Sequence, residues 1–386
     1  MIKKFKIIIN GVYIYIEGNT KIKYSENAFL NPRSRLTRDL GVAFINAAFT
    51  EKEKKKIKVL DPTAATGIRG IRYANEAGIK NLTFLEINKS AYKVLKKNLS
   101  SCSADTTALN TSIQEFANTS MEKYDIIDLD PFGSIVPNLY DILKLAKDKT
   151  YLFLTATDTA VLCGAHEKAC YKLYDAKPMH NSIAHEVGLR ILLGFVARTA
   201  AQFNFGVEVV FAFSHAHYFR ALVKLNHSSD NALSTLKNLG YTYYCNSCGY
   251  RSVSASFFPN IDKCACGAKL QIAGKLWAGD LINNLIMSSI ADEFKKIPDA
   301  NKDERKLVEM LVNEKNIPLY YKISQITKML KVSSVKLDNI ILELKNRGFT
   351  VEKTHFDPDA IKTDAPIDQI TKVILMLSHT SANPSK

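Results

Sequence analysis

The chain has 386 residues, of which 46% are hydrophobic and 23% charged, which excludes a disordered protein and is typical of soluble globular proteins. This length exceeds one ordinary core, so two or three domains are expected, and no apolar stretch is long enough to span a bilayer. The formal net charge of +14 favours a polyanionic partner such as nucleic acid, although a lysine-rich proteome would give the same excess.

The N-terminal segment MIKKFKIIINGVYIYIEGN carries early charges and an isoleucine run that could suggest a signal peptide. Asn10-Gly11 lies between two alternating β-branched and aromatic segments, so a β-hairpin is the better interpretation. Nothing therefore directs the chain out of the cytoplasm. No obligate protein partner is evident either.

Apolar strands alternate with amphipathic helices from about residue 58 to residue 213, which is the pattern of a parallel α/β sheet. Strands are predicted at 59–61, 81–86, 124–130, 150–157 and 207–213, and helices at 68–77, 90–99 and 183–202. This order predicts a Rossmann-like domain that follows an N-terminal β-hairpin extension.

The segment KVLDPTAATGIRGIRYA (58–74) joins a strand to a helix through small residues. Asp61 ends the strand, and Gly67 lets the backbone pass close to a ligand. Glu86 follows nineteen residues after Gly67, at the end of the next strand, and suits the two hydroxyls of a ribose. Neither G-x-G-x-x-G nor a Walker loop is present. The pattern favours S-adenosylmethionine over an ordinary βαβ unit with a capping charge.

Asp130-Pro131-Phe132-Gly133 ends another strand, at the same sheet edge as Asp61 and Glu86. A carboxylate and a backbone carbonyl can each accept one N–H of an exocyclic amine, and the carboxylate can take the proton. An adjacent aromatic ring can stack on the base. Asp130, the Pro131 carbonyl and Phe132 offer these three roles, although a capped Pro-Gly turn would look the same in isolation.

Four of the seven cysteines are clustered, in a C-x-x-C pair and a shorter C-x-C pair: Cys245, Cys248, Cys264 and Cys266. Four thiolates can enclose a tetrahedral zinc ion, which would supply folding energy to a small insert. We expect a structural Zn²⁺ in a compact, loop-rich insert at 240–275, with no open catalytic position.

Three short helical patterns and an extended stretch with a turn occupy residues 303–366. In outline this is a winged helix-turn-helix, which could bind nucleic acid or serve only for packing.

Several of these motifs together resemble one family, the tRNA guanine-N2 dimethyltransferases, which methylate the guanine at tRNA position 26. The similarity is nearly end to end, and Thr37 stands where the family usually has Asn. It is carried by AFLNPRSRLTRDL (28–40), DPTAATGIRGIRYA (61–74), DLDPFGS (128–134) and the segments 154–178, 185–201 and 354–366.

The resemblance implies a class I methyltransferase domain at 1–235 and a C-terminal α+β tRNA-binding domain at 236–386, which contains the cysteine insert and the winged-helix-like unit. It makes Asp130 catalytic and Phe132 its base-stacking neighbour. The positions that it implies for the methyl donor are Phe29, Arg38, Arg69, Glu86, Ser112 and Ile113, beside Asp61. Ser112-Ile113 replaces the usual Asp-Ala of the family.

Two other classes of protein compete with this reading. DNA adenine-N6 or cytosine-N4 methyltransferases carry D-P-P-Y or a relative at this strand end, where this chain has D-P-F-G. The second competing class is a nucleic-acid-binding protein with an inactive methyltransferase core. The presence of Asp61, Glu86 and Asp130 argues against it.

Overall fold

A computed structural model of the chain describes residues 8–9, 12–24 and 28–381. At the N-terminus, strands β1 (Ile8–Ile9), β2 (Val12–Glu17) and β3 (Thr20–Tyr24) form an antiparallel sheet in the order β1-β2-β3. The predicted turn residues Asn10 and Gly11 lie outside the described residues.

A seven-stranded sheet flanked by helices forms the centre of the described chain. Its strands are β4 (Lys58–Asp61), β5 (Asn81–Leu85), β6 (Asp105–Leu109), β7 (Tyr124–Leu129), β8 (Ala146–Ala156), β9 (Phe205–His215) and β10 (Tyr218–His227). The helices are α1 (Arg35–Ala48), α2 (Glu51–Lys54), α3 (Ile68–Ala77), α4 (Lys89–Asn98), α5 (Ile113–Thr119), α6 (Val136–Lys144), α7 (Thr159–Leu162), α8 (Glu167–Tyr174), α9 (Ala184–Ala201) and α10 (Ser229–Lys237).

The strand order is β6-β5-β4-β7-β8-β10-β9, in which β6 to β8 are parallel and β10 is antiparallel to both β8 and β9. The order reverses between β4 and β7, and ligands of open α/β sheets bind at the carboxyl ends of the strands beside such a reversal. Asp61 ends β4, and Asp130 follows β7 directly. The Rossmann-like prediction is confirmed, and the sheet is mostly rather than wholly parallel.

The cysteine region is more ordered than the predicted loop-rich insert. Strands β11 (Leu239–Tyr244), β12 (Arg251–Ala255) and β13 (Gln271–Trp277) form an antiparallel sheet in the order β12-β11-β13. Small polar residues suggested loops, but Leu239 and Tyr244 of β11 are buried in the main core. We call residues 239–277 the cysteine module.

The C-terminal part contains α11 (Asn284–Lys295), α12 (Lys302–Asn313), β14 (Tyr321–Lys322), α13 (Ile323–Leu330), α14 (Leu337–Asn346), β15 (Val351–Lys353), β16 (Ala360–Thr363) and α15 (Ile367–Ser381). The three strands form a sheet in the order β14-β16-β15. Together with α13, α14 and α15 they enclose a second core, around Ile326, Leu344 and Ile370.

The winged-helix-like outline is therefore present, but its third helix is α15 rather than α12. The apolar face of α12 (Leu307, Val308 and Leu311) joins the main core instead. None of the described helices combines the length and apolar character that a membrane span requires.

Candidate active site

A cavity of about 1680 Å³ lies at the carboxyl edge of the seven-stranded sheet. Its lining includes every residue predicted to contact the donor or the base: Phe29, Arg38, Asp61, Arg69, Glu86, Ser112, Ile113, Asp130, Pro131 and Phe132. These residues span about a hundred positions of sequence, so the fold collects them in one place.

The loop between β4 and α3 runs along this cavity in a conformation that depends on Gly67. Gly67 has φ 79°, and a Cβ there would lie 2.5 Å from Cδ1 of Leu95. The Ala64 N–H donates to the Leu85 carbonyl at 3.0 Å, which ties the loop to β5. The positive φ and the close approach to Leu95 of α4 both favour glycine here, whereas the sequence had suggested the close approach of a ligand.

Glu86 receives one backbone N–H on each carboxylate oxygen. The donors are Ala65, at 2.8 Å from Oε2, and Asn88, at 2.7 Å from Oε1. A carboxylate has about four lone-pair sites, so roughly two remain for a pair of ligand hydroxyls. The fixed carboxylate fits the ribose contact expected for an adenosine-type ligand.

Asp61 is buried, and its Oδ2 has no hydrogen-bond partner among the described residues. The pKa of Asp61 is raised to about 7. Burial is the main cause, Arg69 opposes it, and the nearby Asp128 and Asp130 add to it. A buried acceptor without a partner is costly, so this oxygen fits a donor group on a bound ligand.

Arg69 bridges two acidic side chains beneath the cavity. Its Nη1 donates to Asp128 Oδ2 at 3.2 Å, and its Nη2 contacts Asp130 Oδ2. Nη2 also lies 3.4 Å from the hydroxyl of Thr37, the residue that replaces the usual Asn. Arg69 therefore lines the predicted donor site while it holds the predicted catalytic carboxylate.

Asp128 is a functional neighbour that the sequence reading passed over as part of a buried strand. Arg220 donates to both of its oxygens at 2.8 Å, and the Tyr73 hydroxyl donates at 2.6 Å. Burial opposes ionisation, but Arg220 and Arg69 outweigh it and hold the pKa of Asp128 at about 2. An acid inside an apolar strand was the available signal, because such a charge needs a buried partner.

Arg38 pairs with Glu17 of β2 rather than with the adjacent Asp39. Its Nε and Nη2 donate to the two Glu17 oxygens at 2.6 Å each, and both side chains are buried. Arg72 joins Glu17 to Asp39 through contacts of 2.7 and 2.6 Å. This network fixes the N-terminal sheet, whose Tyr15 lines the cavity.

The turn after β7 is held on both sides. The Asp130 N–H donates to Thr63 Oγ1 at 3.2 Å, and the Gly133 N–H donates to Thr157 Oγ1 at 2.8 Å, with Gly133 at φ 74°. Phe132 is 76% exposed and meets Phe29, 55% exposed, edge to face with ring centroids 4.6 Å apart. Two exposed rings thus flank the Asp130 carboxylate.

Ser112 and Ile113 begin α5 at the cavity wall. The Ser112 hydroxyl accepts the Glu115 N–H at 3.0 Å as a helix N-cap, and Ile113 is buried.

The sequence reading missed Tyr218, which also lines the cavity. Its hydroxyl is buried without a hydrogen-bond partner among the described residues.

The four clustered cysteines converge in the cysteine module. Their Sγ atoms all lie within 4.8 Å of one another, with 3.6 Å between Cys245 and Cys266 and 3.5 Å between Cys248 and Cys264. A tetrahedral site with metal–sulfur bonds of about 2.3 Å needs sulfur atoms about 3.8 Å apart. The shorter C-x-C pair therefore still supplies both thiolates, and the cluster could hold a metal ion.

Comparison with known proteins gives consistent matches over almost the whole chain. A family model described as N2,N2-dimethylguanosine tRNA methyltransferase matches residues 11–375. A tRNA (guanine(26)-N(2))-dimethyltransferase of Pyrococcus abyssi is 36% identical, covering 93% of this chain and 97% of the relative. The enzyme of the same name from Pyrococcus furiosus is 38% identical, covering 92% of this chain and 94% of the relative.

Among solved structures, the complex of Trm1 from Pyrococcus horikoshii with S-adenosyl-L-methionine matches with a TM-score of 0.86 and 33% identity. The match covers 93% of this chain and 99% of that one. The resemblance drawn from the motifs is confirmed, and the chain belongs to the N2,N2-dimethylguanosine tRNA methyltransferase family.

Proposed function

We propose that this chain transfers methyl groups from S-adenosylmethionine to the exocyclic N2 of guanine 26 in tRNA, giving N2-methylguanosine and then N2,N2-dimethylguanosine. The observation that carries the proposal is the shared cavity. Glu86, which suits the hydroxyls of a ribose, and Asp61, whose buried Oδ2 has no partner among the described residues, line it together with the Asp130-Pro131-Phe132 turn.

Glu86 would accept hydrogen bonds from the ribose hydroxyls. Asp61 would accept a hydrogen bond from the ligand through its unpartnered Oδ2. Phe29, Ser112 and Ile113 line the same cavity and would enclose the rest of the donor. Arg38 would act through Glu17 by holding the N-terminal sheet over the site. The bound donor supplies an electrophilic methyl group on a sulfonium.

The guanine amine is a poor nucleophile because its lone pair is delocalised into the base. In the first transfer the Asp130 carboxylate and the Pro131 carbonyl would each accept one N–H, which localises the lone pair, and Asp130 would take the proton. In the second transfer the single remaining N–H would go to Asp130. Phe132 would stack on the base. Arg69 would orient the carboxylate through the contact it already makes.

We also infer that the metal of the cysteine cluster is a structural zinc ion. Four thiolates form a closed tetrahedral set with no position left for substrate. Residues 236–386 would contribute to tRNA binding, in keeping with the net charge of +14. Cysteines that form no disulfide among the described residues, together with a tRNA substrate, favour a cytoplasmic location.

Asp130→Asn tests the assignment, because the amide keeps the shape but cannot accept a proton. We expect kcat on an unmodified tRNA transcript to fall at least about a hundredfold, while S-adenosylmethionine binding stays within about threefold. Labelled donor followed by nucleoside analysis measures the product. Asp105→Asn, at the exposed start of β6, is the matched control. Label on adenine or cytosine, or full activity of Asp130→Asn, would contradict the proposal.

A further inference from the structure

Two adjacent phenylalanines stand exposed on the loop between β12 and β13 of the cysteine module, outside the lining of the active-site cavity. Phe257 is 72% and Phe258 69% exposed, and their rings meet edge to face with centroids 4.7 Å apart. Exposed rings forgo the stabilisation that burial would give, so two side by side mark a contact surface.

The loop is held in place by the strand beneath it. The buried Tyr243 hydroxyl accepts the Asn260 N–H at 3.1 Å and donates to Asn260 Oδ1 at 2.8 Å. The Ser256 hydroxyl donates to the Phe258 carbonyl at 2.9 Å. The two rings are therefore displayed at a defined position before any partner arrives, which lowers the entropic cost of binding.

A basic side chain contacts one of the rings, and further lysines are exposed on the same module. The Lys275 ammonium lies 4.1 Å from the centroid of the Phe257 ring. Lys263 and Lys269 are exposed on the same module and pair through their backbones, whereas Asp262 is the acidic residue of this segment. Aromatic rings interleaved with ammonium groups complement RNA, which offers base faces and phosphates together.

We propose that Phe257 and Phe258, flanked by Lys275, form a base-stacking platform for an unpaired nucleotide of the substrate tRNA, at a distance from the methylated guanine. This inference rests on the proposed function and adds a second contact surface to it. A platform outside the cavity raises tRNA affinity without taking part in methyl transfer.

The double variant F257A/F258A tests the platform with an unmodified tRNA transcript. Stacking on an aromatic side chain is worth about five- to a hundredfold per base, so Kd and KM for tRNA should rise by that factor. S-adenosylmethionine binding and kcat at saturating tRNA should stay within about twofold. M121A/L233A is the matched control, because Met121 and Leu233 are 92% and 59% exposed and lie outside residues 236–386, and its tRNA affinity should equal that of wild type.

Two further variants separate base stacking from other uses of the surface. F257Y/F258Y should retain wild-type tRNA affinity. F257L/F258L keeps apolar area but no aromatic face, so it should bind tRNA about as weakly as F257A/F258A. Full recovery by the leucine pair, or a change in oligomeric mass with unchanged tRNA affinity, would overturn the platform in favour of a protein contact.

The salt dependence of tRNA binding separates the contribution of the lysines from that of the aromatic rings. K263A/K269A should reduce the slope of log Kd against log salt if these lysines meet phosphates, whereas F257A/F258A should leave the slope unchanged. Wild-type tRNA affinity in F257A/F258A would refute the platform. If wild type binds tRNA but methylates none of it, the proposed function fails while this binding comparison still decides the platform.

Discussion

Asp61 and Asp128 lie buried beside the same arginine, yet their pKa values move in opposite directions. Burial raises the pKa of Asp61 to about 7, while Arg220 and Arg69 outweigh burial and hold that of Asp128 at about 2. Asp128 has partners for both oxygens, and Asp61 has an Oδ2 with none among the described residues. Asp128 therefore holds Arg69 and Arg220 in place, and Asp61 keeps a free acceptor, which we propose as a ligand contact.

Asp61→Asn should make the unliganded protein more stable than wild type at pH 8. The folded carboxyl binds its proton more tightly than the unfolded chain, so its contribution to stability is complete below about pH 4 and is lost as the pH rises through about 7. The difference between variant and wild type should therefore grow by about 3 kcal/mol in the free energy of unfolding from pH 5 to pH 8. Urea unfolding at both pH values measures it.

The same variant should bind S-adenosylmethionine more weakly, which a change in stability alone would not produce. A difference in stability that does not depend on pH would contradict the assignment of this shift to Asp61.

At the scale of elements, apolar periodicity predicted β4, β5, β7, β8, β9 and the long helix α9 from the sequence. It missed β6, whose DTTAL is polar, and β10, where Arg220 and Lys224 interrupt the apolar pattern. The buried Arg220 side chain is compensated by its ion pair with Asp128 of β7, two strands away in the sheet.

The prediction of the site was also limited to signals from residues close together in the sequence. Glycine chemistry and strand ends identified Gly67, Glu86 and Asp130 because those signals are local. The pairing of Glu17 with Arg38 spans 21 residues, and that of Arg69 with Asp130 spans 61, so no local pattern shows either of them.

Removal of the proposed zinc ion should loosen the cysteine module selectively. The buried part of its local core is small: Tyr243, Cys245, Cys264 and Leu270. Chelation, or Cys266→Ser, should increase proteolysis within residues 245–270 and weaken tRNA binding, while S-adenosylmethionine binding is retained. Cys102→Ser removes a cysteine outside the cluster and serves as the control. Purified protein without bound metal would contradict the zinc assignment.

At the scale of the whole molecule, buried charges join the two cores. The Ser214 N–H at the end of β9 donates to His355 Nε2 at 3.2 Å, so Nδ1 carries the proton that it gives to Glu314 at 2.7 Å. The Lys362 ammonium lies 2.9 Å from Glu314 and 3.5 Å from Glu186. Burial opposes the ionised form of Glu314, but His355 and Lys362 hold its pKa well below the usual range.

Lys362→Met should destabilise the protein by about 3 kcal/mol, because it removes the buried ammonium from Glu314, which then keeps only the His355 contact. Glu186 retains its pair with Arg190 at 2.8 Å. Urea unfolding of the full chain measures the loss. Lys372→Met, an exposed lysine on α15, should change stability by less than about 0.5 kcal/mol. Equal stability of the two variants would show that the buried link contributes nothing.

In the proposed function, the Asp130 carboxylate shares its cavity with the methyl donor, which is an alkylating reagent. A carboxylate oxygen is itself a nucleophile, so methylation of Asp130 to an ester would inactivate the enzyme. The contact with Arg69 draws charge from that oxygen and occupies one of its lone pairs. The arginine that we propose to orient the acid would therefore also protect it from self-methylation.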